Sequence, residues 1–170
     1  AVVGGGNVAM DAARCAKRLG ADEVYIVYRR SEQELPALRE EVEHAKEEGI
    51  VFRFLTNPTE ILGDEQKNTV ALRCVEMELG EPDQSGRRRP IPKEGSEFNL
   101  DVDIVIMALG TTPNPLIKST TKGLDTTPKG CLIVNEAGLT TREGVYAGGD
   151  AVTGAATVIK AMGAGKLGAK

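Results

Sequence analysis

The chain has 170 residues, is 41% hydrophobic and carries a formal net charge of −4. This length and composition allow one domain or two small ones, and the mild acidity gives no reason to expect nucleic acid or an anionic membrane as a partner. No apolar run approaches the roughly 20 residues of a transmembrane helix, and no secretion signal is visible. The three scattered cysteines fit neither a disulfide framework nor a metal site, so we expect a cytoplasmic protein.

The chain opens with a short apolar strand and a glycine-rich turn. Gly4, Gly6 and Ala9 form the pattern G-x-G-x-x-A. In this pattern the first glycine allows a tight turn, the second lets a pyrophosphate approach the backbone, and the third small residue lets a helix pack close to the strand. The helix is predicted to end at Gly20. Its predicted apolar face consists of Val8, Ala12, Ala13, Cys15, Ala16 and Leu19.

A second buried strand is predicted at residues 24–28. Strand, glycine turn, helix and strand form the βαβ unit that the pattern requires, so dinucleotide binding is favoured over a turn that only tightens packing. The residues predicted to surround the pyrophosphate are Gly4, Gly6, Asn7, Val8 and Ala9.

Two arginines, Arg29 and Arg30, follow this second strand. A site specific for NADH usually has Asp or Glu there, which accepts hydrogen bonds from the adenosine ribose hydroxyls. A guanidinium instead offers a planar set of donors that suits the 2′-phosphate of NADPH. Because the acidic residue is missing and arginines take its place, the sequence favours NADPH over NADH. It also favours a phosphate-binding role for the two arginines over a pair of charges that contact only solvent.

The middle of the chain predicts three elements in succession. An exposed amphipathic helix is expected over residues 32–48, with Leu35, Leu38, Val42 and Ala45 on its apolar side. A third strand at 50–55 follows, and then an antiparallel ribbon of 59–62 with 69–79. The arginine run 87–89 falls in a loop, where a solvated hairpin tip is favoured over a phosphate-docking site.

Residues 103–110 predict a strand buried on both faces, because they are almost continuously apolar. The strand ends at Gly110, and the turn Thr111-Thr112-Pro113-Asn114 follows. A nucleotide lying across the carboxyl ends of a parallel sheet would meet this glycine. We therefore expect that any side chain at Gly110 would block the nucleotide.

The most specific stretch is 140–150, in which a short predicted strand leads to Gly148, Gly149 and Asp150, followed by a small-residue helix at 154–168. It resembles the late FAD motif T-x(4–5)-G-v-y-A-x-G-D of flavoproteins with two dinucleotide-binding domains. The resemblance implies that Asp150 accepts a hydrogen bond from the flavin ribitol and that the next helix points its N-terminus at the isoalloxazine. The turn at 110–114 is similar to that family's crossover between the NADPH and FAD domains.

Over essentially its whole length the chain also resembles the glutamate synthase small (beta) subunits and their relatives. The resemblance is carried by residues 4–11, 28–30, 35–37 and 40–49. It does not separate these subunits from NADPH-dependent ferredoxin reductase subunits, sulfide dehydrogenase or the amino-terminal part of dihydropyrimidine dehydrogenase.

The resemblance implies an α/β fold: a Rossmann-like NADPH-binding domain at 1–112, with a parallel sheet and an antiparallel β-meander, and the C-terminal part of a split FAD-binding domain at 113–170. The family's earlier FAD pattern and its cysteine-rich iron–sulfur motifs do not occur in these 170 residues. We therefore expect a piece of a longer protein that holds iron–sulfur clusters in its N-terminal part. Alone, the 170-residue chain is expected to be inactive.

By the same resemblance, NADPH passes a hydride to FAD, and iron–sulfur clusters carry the electrons to a partner, the glutamate synthase large subunit or another electron acceptor. Because the chemistry belongs to the cofactors, no acid–base catalytic residue is predicted. A related reductase for ferredoxin or a sulfur compound, and a module that binds NADPH without turnover, stay open as alternatives. The sequence also leaves open whether the protein forms a homo-oligomer.

Overall fold

The computed structural model describes residues 1–82, 86 and 88–169. The chain divides into two compact units, Ala1–Leu109 and Gly110–Lys170, which we call unit 1 and unit 2. The division lies close to the domain boundary predicted at residue 112. Among the described residues, no helix has the length and apolar character to cross a membrane, and no group of side chains has the composition of a metal site.

Unit 1 contains a four-stranded parallel sheet with the order β3-β2-β1-β7. The strands are β1 (Val2–Val3), β2 (Tyr25–Val27), β3 (Val51–Arg53) and β7 (Ile106–Met107), and the helices are α1 (Asn7–Arg18) and α2 (Arg39–Glu47). Apolar side chains of β1, β2 and both helices form one buried cluster, which includes Val2, Met10, Ile26 and Val42. This cluster holds the helices against the sheet.

A three-stranded antiparallel sheet completes unit 1, with the order β4-β5-β6. Its strands are β4 (Thr56–Gly63), β5 (Thr69–Pro82) and β6 (Arg88–Asp101). Val3 and Val27 of the parallel sheet share a second buried cluster with Leu72, Cys74 and Leu100 of the antiparallel one. The predicted fold class, a parallel sheet with an antiparallel meander, is confirmed.

The buried face of α1 differs from the predicted one. Ala9, Met10 and Ala13 are fully buried, whereas Val8 and Leu19 are exposed. The glycine turn sets the rotation of the helix, because it brings Ala9 against the sheet. The buried residues Ala9, Ala13 and Met10 span about 100° of the helix, and Val8 lies about 100° beyond Ala9 on the side away from Met10, so it points outward. The predicted end of the helix is confirmed, since α1 stops at Arg18 and Gly20 has a φ of +103°.

The single helix predicted over 32–48 is wrong in its first half. A short 3₁₀ turn at Glu32–Glu34 is followed by extended backbone, and α2 begins only at Arg39. Leu35 is extended, with φ −60° and ψ 126°, because the proline after it disfavours the helical conformation.

The strand predicted over 103–110 is also shorter and more exposed than expected. β7 contains only Ile106 and Met107, and Ile104 and Met107 are exposed. β7 is an edge strand that pairs with β1 alone, and β1 itself has two residues. An apolar run therefore did not imply burial on both faces here.

Unit 2 has three helices: α3 (Pro115–Thr120), α4 (Asp150–Thr153) and α5 (Val158–Gly168). Isolated antiparallel bridges join Thr126 to Leu132, Val134 to Thr140, and Leu139 to Tyr146. The predicted strand before Gly148 is thus reduced to one bridge at Tyr146. The helix predicted over 154–168 begins four residues late, because Gly154 ends α4 with a φ of +78°.

Candidate functional site

The glycine turn after β1 begins at Gly4, which no other residue type can replace without a clash. Its φ is +144°, and a Cβ built on it would lie 2.3 Å from the carbonyl oxygen of Ala108. The Gly4 N–H donates to the carbonyl of Val27 over 3.1 Å. Gly4 therefore serves the close approach of three chain segments at the end of the parallel sheet.

Gly6 has the opposite surroundings. A Cβ built on it meets nothing within 4 Å, and its φ of −90° is open to any residue. It is the N-cap of α1 and contributes no side-chain cap. The first N–H groups of a helix lack partners inside the helix and carry partial positive charge, so this open end suits an anion. Ala9, the third small residue of the pattern, is fully buried behind it.

A segment that sequence reasoning treated as helix is fastened to the glycine turn. The N–H of Ala37 donates to the carbonyl of Gly5 over 3.1 Å. The N–H of Leu38 donates to the side-chain Oδ1 of Asn7 over 2.8 Å. Asn7 therefore holds residues 35–38 beside the start of α1, and its amide oxygen is already engaged by the protein.

Gly5, the unassigned middle position of the pattern, also has a packing role. A Cβ there would lie 2.7 Å from the Tyr28 ring and 2.8 Å from Cδ2 of Leu35. The hydroxyl of Tyr28 in turn donates to the carbonyl of Glu34 over 2.7 Å. The run of three consecutive glycines was the sequence signal that could have revealed this contact.

Arg29 and Arg30 follow β2, at the same sheet edge as the glycine turn, because β1 and β2 are parallel neighbours and Val3 pairs with Val27. Arg29 is exposed. Arg30 is partly buried, and its Nε donates to the carbonyl oxygen of Arg88 in β6 over 2.9 Å. The two arginines thus differ: Arg29 is exposed at the surface, and the main chain fixes the guanidinium of Arg30.

Arg88 forms an ion pair that the sequence did not indicate. Its Nε and Nη2 lie 2.7 and 2.6 Å from Oε1 of Glu34. The hydrogen bond from the Ser31 hydroxyl, together with Arg88, lowers the pKa of the Glu34 carboxyl. The expected solvated arginine tip is therefore wrong for Arg88, while Arg87 lies outside the described residues.

Beside this ion pair lies an open cleft of about 580 Å³. It is lined by Gln33, Glu34, Leu35, Pro36, Pro82, Gly86 and Arg88. One wall is the segment after β2 and the other comes from the ends of β5 and β6. The cleft is therefore built from parts of the chain about 50 residues apart.

Gly110, the first residue of unit 2, has a φ of +83°, and a Cβ on it would meet nothing within 4 Å. Positive φ favours glycine on conformational grounds alone. The open space around it is compatible with the predicted role in admitting a nucleotide, which stays a prediction.

The Gly148–Gly149 turn in unit 2 packs against α5. A Cβ on Gly148 would lie 2.8 Å from the Ala164 Cβ, and a Cβ on Gly149 would lie 3.0 Å from the Ala161 Cβ. Asp150 begins α4, is exposed, and accepts a hydrogen bond at Oδ1 from the N–H of Ala156 over 3.3 Å. Both glycines therefore allow a close helix contact that leaves the Asp150 carboxylate at the surface.

Two cavities of unit 2 share Asp150. One, of about 400 Å³, is lined by Gly148, Gly149, Asp150, Ala156, Thr157, Val158, Ala161 and Gly165. The other, of about 250 Å³, includes Thr112, Asn114 and Thr126 with Asp150. The N-terminus of α5 opens into the first of these, where Thr157 is the N-cap. The arrangement offers an acceptor, Asp150, beside a helix N-terminus.

The profile of the pyridine nucleotide-disulphide oxidoreductase family matches residues 1–165. Curated relatives include the beta subunit of an NADP(+)-dependent formate dehydrogenase from Moorella thermoacetica (48% identical over 97% of this chain) and the beta subunit of an NADPH-Fe(3+) oxidoreductase from Geobacter sulfurreducens (42% over 95%). The glutamate synthase [NADPH] small chain of Halomonas elongata is 39% identical over 95% of this chain. The chain spans 23%, 27% and 34% of the lengths of these three relatives.

Solved structures share the fold. The thioredoxin reductase of Lactococcus lactis in its FR conformation matches 99% of this chain and 49% of its own, with a TM-score of 0.78 and 25% identity. Mycobacterium tuberculosis FprA in complex with NADPH matches 98% of this chain and 50% of its own, with a TM-score of 0.71 and 22% identity.

Proposed function

Because the chain belongs to the pyridine nucleotide-disulphide oxidoreductase family, we propose that unit 1 binds NADPH and that unit 2 supplies part of an FAD site. The whole protein then passes electrons from NADPH through FAD to a further acceptor. The chain spans 23 to 34% of the lengths of the three curated relatives above. This activity is therefore proposed for the whole protein and not for the 170 residues alone.

The observation that carries the NADPH assignment is the open helix N-terminus at Gly6, on the same sheet edge as two arginines. The free space at Gly6 admits a pyrophosphate to the first amides of α1, at Asn7 and Val8. Ala9 keeps α1 close to the sheet, and the Gly4 turn sets its direction. Arg29 and Arg30 are the proposed partners of the 2′-phosphate, because a guanidinium binds phosphate oxygens through a fixed set of donors.

For the FAD site, Gly149 and Asp150 are the proposed contacts in unit 2. The Asp150 carboxylate is exposed beside a cavity, where it suits a ribitol hydroxyl. The N-terminus of α5 would favour negative charge on a reduced flavin. NADPH, held by unit 1, would supply a hydride, and FAD, held in part by unit 2, would be the group that takes it up. The part of the chain's own residues is to bind and orient these cofactors. Gly110 is proposed to leave room for the nucleotide.

The final acceptor is proposed from the relatives. From the likeness to the small chains of NADPH glutamate synthases, we propose a large subunit as the acceptor, which makes glutamate from glutamine and 2-oxoglutarate. Iron–sulfur clusters in the whole protein are proposed to carry the electrons to it. A formate dehydrogenase or a ferric-iron reductase of the kind named for the other relatives is the alternative. Reconstitution with each candidate partner subunit, followed by NADPH oxidation, distinguishes them.

Isothermal titration calorimetry with NADPH and NADH tests the nucleotide assignment. We expect NADPH to bind more tightly, and we expect the double variant Arg29→Ala/Arg30→Ala to lose most of that preference, at about 1.5–3 kcal/mol per charged hydrogen bond. Arg73→Ala is the matched control, because it removes a partly exposed arginine that pairs only with Glu60 among the described residues. Equal affinity for both nucleotides in the unmodified protein would refute the assignment.

Gly6→Val tests the position of the pyrophosphate. The backbone conformation at Gly6 suits valine, and a Cβ there meets nothing within 4 Å. We therefore expect the free energy of unfolding to change by less than about 1 kcal/mol. NADPH binding should disappear, because the side chain fills the space beside the first amides of α1. Retained binding would show that the glycine pattern is structural.

A further inference from the structure

We propose that Arg88 is a specificity-determining residue of the nucleotide site: its ion pair with Glu34 keeps a carboxylate from repelling the 2′-phosphate of NADPH. The inference rests on the proposed function, since it takes Arg29 and Arg30 as the partners of that phosphate. It concerns a residue of β6, about 60 positions after the arginine pair in the sequence.

The Glu34 carboxylate is engaged on both oxygens. Oε1 accepts a hydrogen bond from Nε of Arg88 at 2.7 Å and lies 2.6 Å from Nη2 of the same guanidinium. Oε2 accepts from the N–H of Ser31 at 3.1 Å. The Glu34 side chain is only 10% exposed. A carboxylate so little hydrated needs a counter-charge and hydrogen bonds, and Arg88 supplies the counter-charge.

The same residue also reaches the proposed phosphate partners. The main-chain carbonyl of Arg88 accepts from Nε of Arg30 over 2.9 Å. Arg88 thus contacts the segment after β2 twice, through its carbonyl at Arg30 and through its guanidinium at Glu34. Because Arg30 is held by a carbonyl, replacing the Arg88 side chain should release Glu34 while leaving the hydrogen bond to Arg30 in place.

An uncovered charge at Glu34 would shift the nucleotide preference of the site. An acidic residue near the end of the second strand favours the ribose hydroxyls of NADH, and it repels the additional negative charge of NADPH. While paired with Arg88, Glu34 adds little net charge at this place. Without Arg88, its carboxylate would oppose the effect of the two arginines on the NADPH phosphate.

A purely structural ion pair predicts a different outcome. If Arg88 only fastens the end of β6 to residues 33–36, its loss should weaken NADPH and NADH binding alike. If it acts through the Glu34 charge, replacing Arg88 should weaken the binding of NADPH alone, and removing the Glu34 charge as well should restore that binding. The comparison of the two nucleotides therefore separates the two roles.

The test is calorimetry of NADPH and NADH binding to four variants of the protein: Arg88→Ala, Glu34→Gln, the double variant, and Arg89→Ala. Arg89→Ala is the matched control, since it removes the same charge from the neighbouring, exposed position of β6. We expect R88A to lower NADPH affinity about tenfold, the order of effect of one uncovered charge near a phosphate. NADH affinity should stay within about twofold, as should both affinities in R89A. E34Q should raise NADPH affinity rather than lower it, because it uncovers the positive charge of Arg88 near the proposed phosphate.

In the double variant, NADPH affinity should return to within about threefold of the unmodified protein, because the uncovered carboxylate is gone. Equal losses for NADPH and NADH in R88A, or no recovery in the double variant, would overturn the role of Arg88. Circular dichroism verifies folding, and Arg88→Gln replaces R88A if the alanine variant is unfolded. An unmodified protein without NADPH binding would refute the proposed function instead.

Discussion

Each unit of the chain places glycines before a helix, yet the two helices bury very different surfaces. In unit 1, α1 follows Gly4–Gly6 and buries Ala9, Met10 and Ala13 against the sheet. In unit 2, Gly149 is the N-cap of the short helix α4, and the next helix, α5, contains no buried residue. Its large apolar side chains Val158, Ile159, Met162 and Leu167 are exposed.

The difference shows that a glycine pattern alone does not predict how many apolar side chains are buried by the helices near it. Both clusters of buried apolar residues belong to unit 1, whereas in unit 2 the buried apolar side chains among the described residues are those of Leu124 and Cys131. Unit 1 therefore has the core to hold a ligand site rigid. Unit 2 carries the proposed flavin contacts on a framework of short helices and isolated bridges.

The largest effect is expected at Gly4. Gly4→Ala places a Cβ 2.3 Å from the Ala108 carbonyl at a φ of +144°, so the turn must move or strain. We expect a loss of about 3 kcal/mol or more in the free energy of unfolding, measured by urea denaturation. Gly20→Ala is the control for the conformational part, since Gly20 also has positive φ but no neighbour within 4 Å. Losses of similar size in both variants would show that the close approach at Ala108 contributes nothing.

A pair of methionines compares the two helices directly. Met10 in α1 is 0% exposed, and Met162 in α5 is 59% exposed. Met10→Ala should lower the free energy of unfolding by about 2–5 kcal/mol through the lost burial and the cavity. Met162→Ala should change it by less than about 0.5 kcal/mol. Equal effects would mean that α5 is as well packed as α1, and the contrast between the units would fail.

The cysteines report on the same contrast through their reactivity. Cys15 is exposed, Cys131 in unit 2 and Cys74 in unit 1 are buried, and burial raises the pKa of Cys74 to about 11. At pH 8 we expect alkylation, followed by mass spectrometry, to modify Cys15 first, Cys131 next and Cys74 last, because the reactive species is an accessible thiolate. Modification of Cys74 before Cys131 would contradict the smaller core of unit 2.

The raised pKa also fixes the direction of a pH effect. Folding favours the neutral Cys74 thiol, so this contribution to stability is complete below the ordinary pKa of 9.0 and is lost as the pH rises towards about 11. Cys74→Ala should remove that part of the pH dependence in urea denaturation between pH 9 and about 11. An unchanged slope in the variant would assign the effect to other groups.

The smallest signal is expected from flavin. Asp150 and the N-terminus of α5 offer about 1.5–3 kcal/mol for a charged hydrogen bond and about 0.3–1 kcal/mol for the helix end. Millimolar affinity alone needs about 4.1 kcal/mol, and association costs entropy as well. We therefore expect the 170-residue chain to purify without flavin absorbance and not to reduce acceptors with NADPH. A yellow preparation with stoichiometric FAD after gel filtration would refute this.

Much of unit 1 could be predicted from the sequence, because its signals are local. The strand, glycine turn, helix and second strand follow from apolar runs and from positions that only glycine can occupy. The helix predicted through residues 32–38 failed, since Pro36 and the hydrogen bonds of Ala37 and Leu38 to the glycine turn outweighed the helical spacing. The burial predicted for residues 103–110 is wrong, because a strand's own residues do not determine whether it lies at the edge or in the centre of its sheet.

The sequence by itself determined the local arrangement on which the proposed site rests: a glycine turn at the start of a helix, followed one strand later by two arginines. Only the tertiary structure decided that Asn7 holds a neighbouring loop and that Arg88 pairs with Glu34. These contacts join residues 31 and 54 positions apart. Local patterns fix backbone conformation, whereas the partners of a charged side chain depend on which strands the fold brings side by side.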